Sequence, residues 1–113
     1  MMPDAVTARS LEILLALADK PRHGYGIRRE VEDRTGGRVV LRSGTLYEAI
    51  QRLEVRAWIE PVPAPEGEGE SGGPERRFYA LTEAGRVALA DELGRLQLIL
   101  DTAAGKALVA KPT

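Results

Sequence analysis

Apolar positions follow a helical rhythm along most of the chain, and the sharpest case is the stretch Leu41–Glu60. Leu46, Ile50, Leu53 and Ala57 recur at spacings of four, three and four, the period of one buried helix face. Ser43 ahead of them makes a good N-cap, because its hydroxyl can accept from the free N–H groups of a first turn. Burying Leu46, Ile50 and Leu53 contributes roughly 1.5–3 kcal/mol each, so such a helix has one stable orientation. Its opposite face carries Gly44, Glu48, Gln51, Arg52 and Val55, with Thr45 and Tyr47 at the flanks.

The flanking segments show the same kind of pattern. From Ala5 to Asp19, Leu11, Leu14, Leu15 and Ala18 share a face that Val6, Ile13 and Leu17 widen. A stripe that broad predicts a helix covered from two sides, by its own domain and by a partner. Lys20-Pro21-Arg22 stops it, since the residue before proline avoids the helical region. His23 opens a second helix reaching about Thr35, with Ile27 and Val31 buried and Gly36-Gly37 closing it. Two short helices and a turn leading into a third helix form a helix-turn-helix.

After the central helix the period changes to two. Trp58–Val62 reads as a short strand, with Pro61 tolerable only on an edge. Arg76–Leu81 reads as its partner, and together they make a two-stranded wing. Between them, Pro63–Pro74 is too polar and glycine-rich to pack and is expected to be mobile. Thr82 can cap a long last helix. Along it Leu89, Leu93, Leu96, Leu100, Ala103 and Ala107 alternate steps of four and three, an a/d seam that Leu98 and Ile99 thicken. A domain this small does not need that seam for its own core, and with Leu11 and Leu14 it is expected to meet a second chain. The expected fold is mainly α (α+β): a winged helix-turn-helix DNA-binding unit over 1–81 and a dimerisation helix over 82–113, forming one compact body.

Composition narrows the function. A chain of 113 residues supports one small domain. With no cysteine, disulfides and thiolate metal sites are excluded. Sixteen basic residues stand against seventeen acidic ones, so net charge argues neither for nor against nucleic acid. The distribution says more: Lys20 to Arg56 holds nine basic residues against five acidic, whereas every charge from Glu60 to Glu75 is negative. A basic centre beside an acidic insert fits a local electrostatic footprint. No stretch approaches the roughly 20 apolar residues of a membrane span, and no charged leader precedes an apolar run, so the expected location is the cytoplasm. One histidine and no acidic pair facing a nucleophile leave little for catalysis, and no cofactor or metal is expected.

Candidate chemistry therefore lies on the free face of the central helix. Arg42, Gln51 and Arg52 can address base edges, while Ser43, Thr45 and Tyr47 can bind phosphates. Glu48 can accept from a cytosine amino group, or it can hold Arg52 through an i, i+4 pair. Tyr25 and Tyr47 fit phosphate contacts equally well as amphipathic core residues with a wet hydroxyl. Arg76 and Arg77 at the wing base fit a minor-groove or phosphate role, or a salt bridge to Glu60 or Glu75. His23 fits a helix start better than a ligand or base.

Three stretches resemble one known family. Gly-Thr-Leu-Tyr at 44–47, followed by Ala-Ile-Gln-Arg-Leu-Glu and Trp-Ile-Glu, looks like the recognition-helix signature of PadR-type winged-helix transcriptional regulators. His-Gly-Tyr-Gly-Ile at 23–27 resembles the start of that family's second helix, and Arg76–Arg86 its wing strand and following helix. Glu48 stands where the family usually has proline, and Ala57 where it usually has glycine. The resemblance covers nearly the whole chain and implies the short subtype, with one helix after the wing. It further implies a homodimeric repressor on a palindromic double-stranded DNA operator, relieved by a small apolar or aromatic effector. The rival readings are a dimeric protein-interaction module without DNA binding, which Glu48 and the acidic insert favour, and a small ligand-binding protein.

Overall fold

The computed structural model describes residues 6–67 and 77–110. The expectations for most of the acidic insert and for Arg76 lie outside the described residues. In chain order the elements are α1 (Ala8–Ala16), β1 (Arg22–His23), α2 (Gly24–Arg34), α3 (Ser43–Val55), β2 (Ile59–Val62), β3 (Phe78–Leu81) and α4 (Glu83–Gly105). The fold is that of a winged helix-turn-helix, with one addition to the expected wing. The sheet has three antiparallel strands in the order β1-β3-β2. Arg22 and His23 pair with Tyr79 and Phe78, while Ile59 pairs with Leu81 and Val62 with Phe78. Pro61 lies on an edge strand as its missing N–H requires.

The core is made of one face from each helix. Ile13, Leu14 and Leu17 of the first helical segment close over Ile27, Val31, Leu46, Ile50, Leu53, Ile59, Tyr79 and Leu89. Leu14 is wholly buried and Leu89 nearly so, both inside their own chain. Their place in an intermolecular seam is thereby corrected, because a side chain already enclosed has no surface left for a partner. Leu11 is half-buried at the rim, and Leu93 and Leu100 are exposed.

Caps and turns fix the ends. α1 starts later than expected, because the Thr7 hydroxyl accepts from Ser10 N–H. Its C-terminal side is held by Arg22, whose Nε donates to the Ala16 carbonyl at 2.7 Å. Arg22 also approaches Asp19 at 3.2 Å and Glu30 at 3.5 Å, and Arg34 approaches Glu12 at 2.8 Å, which ties α1 to α2. Burial pushes the Asp19 carboxyl up, but its own backbone N–H and the Arg22 guanidinium outweigh this and hold it below the ordinary range.

Three helices end alike. After α2, α3 and α4 the chain passes through a left-handed residue, Gly36 (φ 64°), Ala57 (φ 63°) and Ala107 (φ 61°) respectively. In each the following N–H returns to the helix: Gly37 to Glu32, Trp58 to Leu53, Leu108 to Ala103. These are Schellman closures, two of them built on alanine in place of glycine. Ala57 and Ala107 were expected to continue a buried face and a dimer seam; both instead lie outside their helices, where the reversed backbone turns them off the stripe.

Candidate nucleic-acid interface

α3 is held from behind by Leu46, Ala49, Ile50 and Leu53, all buried. Everything on the other side is open: Gly44, Glu48, Gln51, Arg52 and Val55 are exposed, Val55 to 87%. Arg42 and Ser43 are exposed at its start, with Thr45 half-buried beside them. The helix begins differently from the expected way. Arg42 occupies the cap position in extended conformation, Ser43 is the first helical residue, and α3 has no side-chain cap bond. A helical backbone at 43 puts the Ser43 hydroxyl out of reach of the N–H groups it was expected to receive. By contrast Thr7, His23 and Thr82 each cap their helices through a side-chain acceptor.

Glu48 and Arg52 form the i, i+4 pair, with Oε1 3.8 Å from Nη2 and both side chains about two-thirds exposed. In water such a pair is weak, a few tenths of a kcal/mol, so either group can leave it for a stronger partner. Its effect is electrostatic: the carboxylate meets a cation on its own helix instead of standing alone on the open face.

The two tyrosines separate. Tyr47 is half-buried against the core, and its ring and hydroxyl lie directly over the Cα of Gly24, so any larger residue at 24 would strike them. Tyr25 is 54% exposed at the first turn of α2. Arg29 Nη1 donates to its hydroxyl at 3.2 Å, and the guanidinium carbon lies 5.7 Å from its ring centroid. Arg29 was not among the candidates, although its spacing of four from Tyr25 on a helix could have signalled it.

His23 opens α2 as expected: Gly26 N–H donates to its Nδ1 at 2.9 Å, and its ring meets Phe78 edge-on at 5.0 Å. It thereby joins the helix start to the wing. Arg77 is exposed, and the Tyr79 pKa is raised, by burial first and then by the Glu54 carboxylate, with the Arg77 charge opposing the rise. Pro65, assigned to the unpacked insert, is half-buried beside Lys20, Pro21, His23 and Phe78, lining a hollow of about 280 Å³. Pro65 is therefore packed, although Pro63, Ala64, Glu66 and Gly67 around it are exposed.

Not every cation of the basic centre faces outward. Arg22 and Arg34 serve the α1–α2 ion-pair network, and Arg56 lies over the Trp58 ring at 5.0 Å. Arg38, Arg42 and Arg52 are exposed. Among the described residues no cluster of His, Cys, Asp or Glu could hold a metal ion, and no helix is long and apolar enough to cross a membrane.

Comparison with known proteins agrees with this geometry. Over 79 residues, 70% of this chain and 69% of the relative, the sequence is 35% identical to an uncharacterized protein of Lysinibacillus sphaericus. The fold superposes on a transcriptional regulator from Clostridium thermocellum with a TM-score of 0.69 at 23% identity, covering 86% of this chain and 87% of that one. It also superposes on Bacillus subtilis PadR in complex with operator DNA, with a TM-score of 0.59 at 23% identity. That match covers 74% of this chain and 45% of the larger protein. The model of the transcriptional regulator PadR-like family matches residues 13–91, from the core face of α1 through the wing into α4. The chain belongs to that family.

Proposed function

We propose that the chain is a transcriptional repressor that binds a palindromic DNA operator as a homodimer, reading it with α3. The observation that carries this is the division of α3 into a fully buried face and a fully open one. Arg42, Gln51, Arg52 and Glu48 lie on or beside the open face, on a rigid element that packing holds in one orientation. Arg and Gln side chains there can form bidentate bonds to base edges in a major groove, while Ser43 and Thr45 suit phosphates. Tyr25 with Arg29, on the preceding helix, suits the backbone of the same groove, and Arg77 at the wing suits the flanking minor groove. The operator complex of the Bacillus subtilis relative supports the class of ligand.

The dimer is carried by the exposed apolar side of α4. Leu93 and Leu100 are open to solvent, Leu96 and Ala103 half-open, and Leu11 of α1 adds to them. A soluble chain seldom leaves such a row uncovered. Next to it Leu98, Ile99, Thr102, Ala103 and Leu108 line an apolar trough of about 360 Å³, suited to a small apolar or aromatic effector that would bias the spacing of the two α3 helices.

The test is fluorescence anisotropy with a labelled duplex taken from immediately upstream of the chain's own coding sequence, against a scrambled duplex at the same salt concentration. Preferential binding of the upstream duplex, weakened by Arg52→Ala and by Gln51→Ala, is expected. Equal affinity for both duplexes, or indifference to both substitutions, refutes the reading.

A further inference from the structure

Glycine in a helix costs stability, so a helical glycine calls for a reason. Most of the described glycines have one inside the fold. A Cβ on Gly24 would strike the Tyr47 ring, and one on Gly85 the Trp58 carbonyl. Gly36, Gly37 and Gly67 have positive φ, while a Cβ on Gly26 would meet Arg22 and His23 at 3.5 Å, an ordinary contact. Gly44 has none of these reasons. It is helical, its φ is not positive, and a Cβ built there meets nothing within 4 Å. Alanine would fit without displacing an atom of the chain and would stabilise the helix.

Position explains what packing does not. At 100° per residue, Gly44 lies about opposite the Leu46–Leu53 stripe, in line with Glu48, Gln51 and Val55. It is therefore at the middle of the open face, in the turn nearest Arg42 and Ser43. Gly94 and Gly105 also have open space around them, and both are on α4, the helix assigned above to a second copy. Gly44, Gly94 and Gly105, the described helical glycines with open space around them, thus lie on elements expected to be covered from outside.

We propose that Gly44 is the point of closest approach between α3 and DNA, kept bare so that the helix backbone can seat in the groove between the side chains of Arg42 and Glu48. A methyl group there would lift the first turn of α3 away from the duplex and lengthen the reach of every neighbouring contact. Because it acts through seating depth, it would weaken binding to specific and scrambled duplexes together, unlike the loss of one base contact. This rests on α3 being the reading helix.

The experiment measures thermal unfolding and DNA anisotropy for Gly44→Ala beside Arg52→Ala and Gln51→Ala, with the upstream and scrambled duplexes described above. Overpacking of a tight contact predicts that Gly44→Ala weakens binding to both duplexes roughly five- to a hundredfold. The melting temperature should rise at the same time by about 2–4 °C. Higher stability with unchanged affinity, while Arg52→Ala weakens binding, overturns the role of Gly44 and leaves the reading helix standing. If none of the three variants changes affinity, α3 is not the reading helix and both readings fall. A lower melting temperature for Gly44→Ala also overturns the inference, since the fold would then need the glycine itself.

Discussion

The turn from α3 into the wing carries a cost that one substitution should remove. Ala57 sits at φ 63° in the Schellman closure, where its Cβ crowds the following carbonyl. For an L-residue that conformation costs roughly 1–2 kcal/mol. Glycine avoids it, but gains conformational freedom in the unfolded chain worth about 0.4–1 kcal/mol. Ala57→Gly should therefore stabilise by about 0.5–1 kcal/mol, raising the melting temperature by about 2–4 °C for a chain of this size. The bonds of the turn are backbone bonds and survive: Trp58 N–H to Leu53 at 3.0 Å, and the Thr82 hydroxyl to the Ala57 carbonyl at 2.6 Å. Gly36→Ala is the mirror control, because Gly36 has the same φ at the same position of α2 with open space around it. Urea unfolding at one fixed protein concentration should show a higher midpoint for Ala57→Gly and a lower one for Gly36→Ala, with unchanged slopes. A midpoint for Ala57→Gly at or below that of the parent would refute the strain account. DNA affinity should be the same in parent and variant, since the open face of α3 is untouched.

Thr82 both caps α4, accepting from Gly85 N–H at 3.0 Å, and donates to Ala57, so Thr82→Ala should cost about 1–2 kcal/mol in urea unfolding, with Thr82→Ser recovering most of it. Glu48→Gln should tighten binding to upstream and scrambled duplexes alike, because it removes a like charge from phosphate and frees Arg52; weaker binding to the upstream duplex alone would show that Glu48 reads a base. Leu100→Glu should halve the particle mass in light scattering at micromolar concentration while leaving the circular dichroism of the fold unchanged, since Leu100 is exposed in the single chain. The Asp19 carboxyl is held below its ordinary 3.8, so its contribution is full above that pH and is lost as pH falls through the lower folded value. Asp19→Asn should therefore flatten the acid limb of a stability–pH curve, and an unchanged limb would remove Asp19 from acid unfolding.

Features that depend on short-range periodicity were legible from the residues alone. Leu46, Ile50 and Leu53 declared their common face, and with it the free face holding Gln51 and Arg52, because residues three and four apart on a helix must share a side. His23 and Thr82 were readable as helix starts, and Pro61 as an edge residue, since each follows from the local supply of donors and acceptors. Features that depend on which distant partners meet emerged only once the chain was folded. Two residues at Arg22–His23 are too few to show an alternating period, and only the β3 edge makes them a strand. Leu14 and Leu89 have the same periodicity as Leu93 and Leu100, but a stripe does not say whether its own chain or another will cover it. Arg22 and Arg34 counted toward a basic patch until Asp19, Glu30 and Glu12 came within ion-pair reach of them. Ala57 and Ala107 fitted the helical count and left the helix all the same. Periodicity records where apolar groups would go if the helix continued, whereas the place at which it stops is set by a backbone reversal that the next element's packing stabilises.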